Sequence, residues 1–140
     1  MLRYPARFTP AEEGGYTVEF VDLKGCITEG DTFEEARVMA EDALDGYLTV
    51  LYHDGTDIPP PSHVKDDGIV FVDVRIEVAL PLLVRQFRKE QGMSQGDMAE
   101  KLKTPCQTIQ KLEKIGSNPT VRTLQKIGKV LGKRVVIDLV

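Results

Sequence analysis

Three groups of side chains in this 140-residue chain have types and spacings suited to chemistry. The first is the run Cys106, Gln107, Thr108, Gln110 and Lys111, with Gln95 upstream and Ile109 and Leu112 interleaved at helical spacing. Two apolar residues three apart turn one face of a short helix inward, which leaves amides, a hydroxyl and a cation outward, the donors and acceptors that read base edges. The second group is the carboxylates Asp22, Glu29 and Asp31, near the ends of strand-like runs. Such oxygens can hold Mg2+, but no carboxylate lies at the centre of the first strand, and an acidic surface for a basic protein explains the same residues. The third is His53 and His63, flanking a proline-rich stretch from Asp57 to Ser62. Neither has a carboxylate or cysteine partner at ligand spacing, so they read as surface histidines, and no metal or cofactor is expected. Cys26 and Cys106 lack CxxC spacing and read as free thiols of a cytoplasmic protein.

The charges are segregated. Residues 1–78 hold six Lys and Arg against seventeen Asp and Glu, a net of −11, whereas residues 79–140 hold twelve against five, a net of +7; together they return the overall −4. An acidic half followed by a basic half points to two modules with different partners: a basic protein for the first, nucleic-acid phosphates for the second. No apolar run approaches the roughly 20 residues of a membrane helix, and the opening MLRYPARFTP has no apolar signal core, so neither membrane insertion nor secretion is expected.

The elements that must position these groups follow from pattern. Tyr4, Ala6 and Phe8 alternate with polar neighbours as a strand, in which Pro5 suggests an edge or a strand start. Glu13-Gly14-Gly15 is turn chemistry and 16–21 a second strand, so the two form a hairpin; Tyr4, Phe8, Tyr16 and Phe20 read as its core rather than as a base-stacking platform, given the module's negative charge. A short third strand spans 25–30. Thr32 with Glu35 is a capping box opening a long amphipathic helix over 33–52. The β-branched run 69–78 reads as the fourth strand. Beyond it, Pro81 fits a first helical position, with Val84 and Phe87 on the inner face of a helix ending near Gly92. Ser94 caps a helix over 95–102 with Asp97 three residues on, a second short helix runs to about Lys114, and Asn118-Pro119 opens a third, which Gly132 ends. Residues 134–140 return to strand character; Val135, Ile137 and Leu139 point one way from an apolar strand that needs a partner, expected to be its own copy across a two-fold axis, the alternative being pairing within the chain against 69–78.

Met93-Ser-Gln-Gly-Asp-Met-Ala-Glu-Lys-Leu102, a three-residue turn, Cys106-Gln-Thr-Ile-Gln-Lys-Leu-Glu113 and Asn118-Pro119 resemble the Cro/C1-type helix-turn-helix. The resemblance implies that Gln95 caps the first helix and bonds phosphate, that Cys106, Gln107 and Lys111 face bases, that Thr108 reaches the backbone, and that Arg88 and Glu113 form a structural ion pair. This chain departs from the pattern at Cys106, which offers only weak hydrogen bonding or contact with a thymine methyl, at Gly116, one residue later than the family glycine, and at Gly96 inside the helix. The first module resembles the HicB antitoxin domain through Tyr4-Pro5, Glu13-Gly14-Gly15-Tyr16, Phe20-Val21-Asp22-Leu23, Glu29-Gly30-Asp31-Thr32, Glu35-Ala36 and Asp57-Ile-Pro-Pro-Pro-Ser62.

The expected fold class is therefore α+β: a β-β-β-α-β domain over 1–78, resembling a partial ribonuclease H fold, then an all-α helix-turn-helix domain over 79–140 with a C-terminal strand. The resemblance implies a non-enzymatic antitoxin that binds a small basic HicA messenger-RNA interferase, through residues including Asp22, Glu29 and Asp31. It also implies repression of its own operon on operator DNA as a homodimer or higher oligomer. The alternatives are a ribonuclease H-like nucleic-acid-processing enzyme and a ligand-sensing transcriptional regulator.

Overall fold

The structure, a computed structural model, describes residues 2–140 and has an α+β architecture. It divides into two compact units, Met1–Val78 and Ala79–Val140.

In the first unit β1 (Arg3–Pro10), β2 (Tyr16–Phe20), β3 (Ile27–Gly30) and β4 (Ile69–Asp73) form an antiparallel sheet of order β3-β2-β1-β4. Helix α1 (Phe33–His53) lies against β2, β3 and β4. Strand alternation puts Tyr4, Ala6, Phe8, Val18, Phe20 and Val72 in the core. The helix meets them with Ala36, Ala40, Leu44 and Leu48, a stripe at intervals of four, all fully buried; each leucine contributes about 1.5–3 kcal/mol. Thr32 caps the helix by accepting from the Glu35 N–H at 3.0 Å, and the Glu35 carboxylate accepts from the Asp31 N–H at 2.9 Å. Two glycines allow the closest approaches. A Cβ on Gly30 would stand 2.4 Å from the Ala36 nitrogen, and one on Gly15 would stand 2.5 Å from the Gly30 oxygen.

Two expectations for this unit need correction. Pro5 suggests an edge, yet β1 is an interior strand. The proline is tolerated because its carbonyl accepts from Val21 N at 3.0 Å, so its missing N–H faces β2 just beyond the last paired residue, Phe20. The run 69–78 is not one strand: β4 ends at Asp73 and α2 (Ile76–Glu90) has begun by Ile76. The ladder stops because its partner does, with Asp73 opposite Arg3 and Val74 N donating to Leu2 O. Arg75 then turns the chain. Its N–H donates to the buried Asp45 carboxylate at 3.3 Å, and its guanidinium pairs with Asp42 at 2.7 Å. Burial pushes the Asp45 carboxyl up from its ordinary range, and the Arg75 N–H and charge pull it back. Pro81 correspondingly sits inside α2 rather than at its start; the carbonyl it leaves without a donor belongs to exposed Glu77, where water can serve.

In the second unit α2, α3 (Gln95–Leu102), α4 (Cys106–Leu112) and α5 (Val121–Leu131) enclose one cluster of Val84, Met93, Met98, Ala99, Ile109, Leu112, Ile127 and Leu131. Helix α5 is capped by Thr120, whose hydroxyl accepts from Thr123 N at 3.1 Å, not by Asn118, which lies two residues too early to reach that donor. It ends at Gly132 in the left-handed region. The expected strand over 134–140 is absent from the single chain: these residues carry no regular structure, and Leu139 is 94% exposed. A strand exists only as half of a hydrogen-bonded ladder, and among the described residues none pairs with the tail as a strand.

Replacing Gly30 with Ala should lower stability to chemical denaturation by about 1–3 kcal/mol, because the new methyl meets helix backbone rather than a movable side chain. Gly46→Ala, at an exposed α1 position with open space around it, should instead raise stability by about 0.5–1 kcal/mol.

Candidate nucleic-acid interface and acidic surface

The basic unit presents α4 through a set of local constraints. Ser94 caps α3 in a reciprocal box: its hydroxyl accepts from Asp97 N at 3.0 Å, and the Asp97 carboxylate accepts from Ser94 N at 2.9 Å. These bonds hold the Asp97 carboxyl below its ordinary range. The turn that follows α3 is made at Lys103, with φ 54° and ψ 48°; Thr104 N reaches back to Ala99 O at 3.0 Å. A left-handed conformation costs a residue with a Cβ roughly 1–2 kcal/mol. Pro105 then pre-sets the entry to α4, with no side-chain cap.

The far end of α4 is fixed by Arg88. Its Nε and Nη2 donate to the two carboxylate oxygens of Glu113 at 2.7 and 2.9 Å, and its Nη1 donates to Met93 O at 2.8 Å. Arg88 and Glu113 are 7% and 6% exposed. A carboxylate at a helix C-terminus opposes the helix dipole, and the bidentate guanidinium offsets that here. Removing one member of a buried pair costs about 3–5 kcal/mol, since the survivor remains buried and charged.

Between these anchors Ile109 and Leu112 face the core, while Gln107, Gln110 and Lys111 are exposed and Thr108 is half-buried. These are groups able to hydrogen-bond a nucleic-acid edge or phosphate. Two expected readers stand differently. Cys106 is not turned outward: it is half-buried and packs against the apolar cluster, as a small, weakly polar side chain prefers. Gln95, half-buried, donates to Glu113 at 3.4 Å and so joins the buried pair's network. Gly116, at φ 85°, supplies the turn after α4, and Ser117 closes it by donating to Leu112 O at 3.1 Å.

The acidic residues singled out in the first unit separate into two places. Glu29 and Asp31, both exposed, line an open groove of about 500 Å3 together with Glu12, Glu13 and Tyr16. Glu12 and Glu13 escape a reading of local motifs because only strand register brings them there: Tyr16 pairs with Gly30 and Thr17 with Glu29, which sets the hairpin turn beside the end of β3. Asp22 is elsewhere and already occupied. Its carboxylate accepts from Ser62 N at 2.8 Å and from the Ser62 hydroxyl at 3.1 Å, which fastens the proline-rich loop. Tyr4 fastens the same loop by donating to Pro59 O at 2.8 Å; burial, helped by the Asp22 charge, pushes its hydroxyl up to about 12. Burial likewise pushes the Cys26 thiol up to about 11, away from reactivity. Among the described residues no group of three or more His, Cys, Asp or Glu is placed to hold a metal ion, and no helix is long and apolar enough to cross a membrane.

Comparison with known proteins gives two family matches in tandem: a HicB-like antitoxin of bacterial toxin–antitoxin systems over residues 3–85, and a helix-turn-helix over residues 84–136. The antitoxin HicB of Escherichia coli K12 is 32% identical over 139 residues, spanning 99% of this chain and all of that protein. Antitoxin HicB 1 of Photorhabdus laumondii is 30% identical over 138 residues, 99% of this chain and 87% of the relative. Among solved structures, a HicA3 and HicB3 toxin–antitoxin complex contains a chain with 27% identity and a TM-score of 0.45, covering 53% of this chain and 99% of that one. The Burkholderia pseudomallei antitoxin HicB has 17% identity and a TM-score of 0.49, covering 94% and 86%.

Glu113→Ala should destabilise the second unit by about 3–5 kcal/mol in denaturant titrations. The double variant Arg88→Met with Glu113→Leu should recover most of that loss, because no charge is then left buried.

Proposed function

The chain belongs to the HicB-like antitoxin family, and from that premise we propose that it neutralises a HicA-like toxin with its acidic unit and represses its own operon with its basic one. The observation that carries the DNA half is the exposed Gln107, Gln110 and Lys111 face of α4, held between the Lys103 turn and the buried Arg88–Glu113 pair. A helix fixed at both ends presents its hydrogen-bonding side chains with little ordering left to do, which favours specific readout in the major groove. The net charge of +7 in residues 79–140 adds sequence-independent attraction to phosphate.

The toxin half rests on charge and shape. Glu29 and Asp31, joined by Glu12 and Glu13 around one groove, offer a concave negative surface to a basic protein. Asp22, bound to Ser62, holds the proline-rich loop instead. Such rim charges steer encounter and set partner choice more than they set affinity. The protein acts in the cytoplasm, where messenger RNA and operator are found, and by binding rather than by catalysis.

Val135, Ile137 and Leu139 complete the proposal as a dimerisation strand. Their exposed apolar side chains and unpaired backbone fit pairing with the same segment of a second copy. Two copies would set two half-sites about one helical turn apart on the duplex.

A matched pair of variants of the full chain tests this division. Gln107→Ala should weaken binding to the promoter DNA of its own operon by about 1–3 kcal/mol while leaving toxin neutralisation intact. Glu29→Lys combined with Asp31→Lys should do the reverse. Loss of both activities in either variant, or of neither in both, would contradict the proposal.

A further inference from the structure

Nine residues among those described have backbone in the left-handed region, and eight of them are glycine. The ninth is Lys103. Helices α3 and α5 end in the same way, each on a residue with positive φ and ψ whose N–H turns back to the preceding turn of helix, yet α5 uses Gly132 and α3 uses Lys103. Glycine meets no steric penalty in this conformation, and every residue with a Cβ does. The lysine therefore has to be explained by what its side chain does.

Inside the chain it does nothing visible. Lys103 is exposed, and among the described residues its ammonium takes part in no hydrogen bond or ion pair. A cation held in a disfavoured conformation, with no partner in its own fold, is arranged for something outside it; backbone outliers of this kind concentrate at binding and catalytic sites. Its place in the chain says what that is. Lys103 lies three residues before Cys106, the first residue of α4, and α4 carries the exposed Gln107 and Lys111. When a helix enters a groove by its N-terminal residues, the chain just ahead of it runs along the groove's lip, where the phosphates are.

We propose that Lys103 is a DNA-binding residue that contacts a backbone phosphate beside the groove entered by α4, and that its charge at this position is kept at the expense of the easier glycine turn. The proposal rests on the DNA-binding reading of the second unit. It adds a positioning contact that carries no sequence information: the phosphate sets how far α4 reaches into the groove, and Gln107 and Lys111 then meet the bases. The ammonium meets the phosphate as a point charge on a flexible stem, so the contact depends on charge rather than on a fixed geometry.

The test uses the full chain and a fluorescent 30-base-pair duplex of mixed sequence, since a phosphate contact is indifferent to sequence. Binding is measured by anisotropy from 50 to 200 mM KCl, beside thermal unfolding of each variant without DNA. Lys103→Gly should melt higher than the wild type by about 4 °C. It should bind about threefold or more weakly at the lowest salt, with the slope of log K against log salt reduced by about 0.9. Lys103→Arg should keep both the wild-type melting temperature and the wild-type slope. A wild-type slope in Lys103→Gly would overturn the phosphate contact, and a lowered melting temperature would show that the lysine stem stabilises the turn itself. If the wild-type chain binds the duplex without salt dependence, the DNA reading fails as a whole and the Lys103 contact with it. If only the Lys103 variants behave as wild type, the reading stands and this residue alone is excluded.

Discussion

A guanidinium enclosed by apolar side chains must be neutralised where it sits, and in the second unit that requirement governs the geometry of the α4 surface. Arg88 reaches from α2 to Glu113 at the end of α4 through two parallel hydrogen bonds, and to the Met93 carbonyl ahead of α3 through a third. The end of α2, the residue ahead of α3 and the end of α4 are thereby held to a tolerance set by hydrogen-bond geometry rather than by side-chain packing alone. The apolar cluster supplies most of the cohesion, but clusters of Met, Leu and Ile tolerate small slides that a bidentate pair does not. Gln95 adds a further donor to the same carboxylate, so the start of α3 and the end of α4 share one anchor. What α4 shows to solvent follows from that anchor.

The first unit solves its problem differently. One helix and one sheet must come close enough to exclude water over a small area, and the contact is set by the smallest residues present: Gly30 against Ala36, then Ala40, before the stripe widens to Leu44 and Leu48. Where the chain leaves this core it is tied by polar groups, Tyr4 and Asp22 to the proline-rich loop and Asp45 to Arg75. These ties consume carboxylates that a count of charge alone would assign to a partner. Of the carboxylates outside these ties, Glu12, Glu13, Glu29 and Asp31 gather at the hairpin turn and β3.

Features decided within a few residues were legible in the sequence. The Thr32 and Ser94 caps, the helices they open, the Gly132 stop and the order β-β-β-α-β all follow from short-range patterns. The Arg88–Glu113 pair, 25 residues apart, was legible only through the family resemblance. Features decided by distant partners were not. The β-branched run ending at Val78 looks like one strand because propensity cannot show that β1 has ended opposite Asp73. Nor can it show that Asp45, thirty residues earlier, turns the chain at Arg75. Thr120 displaced Asn118 as a cap by a two-residue difference in reach. Helical phase and the family resemblance both turn Cys106 outward, and packing against the apolar cluster half-buries it. Glu12 and Glu13 joined Glu29 and Asp31 only through register, and Asp22 left that set through a bond to Ser62, forty residues away.

The central claim is that two faces of one chain serve two unlike partners: α4 and the turn before it for DNA, and the groove at the hairpin and β3 for a basic toxin. Amide chemical-shift mapping of the uniformly labelled full chain addresses it most directly, with a promoter duplex added in one titration and a HicA-like toxin in another. The account predicts that DNA shifts amides around Lys103 to Lys111 and leaves those of Glu12, Glu13, Glu29 and Asp31 in place, while the toxin does the opposite. Toxin-induced shifts concentrated on α4, or DNA-induced shifts concentrated on β3, would contradict it.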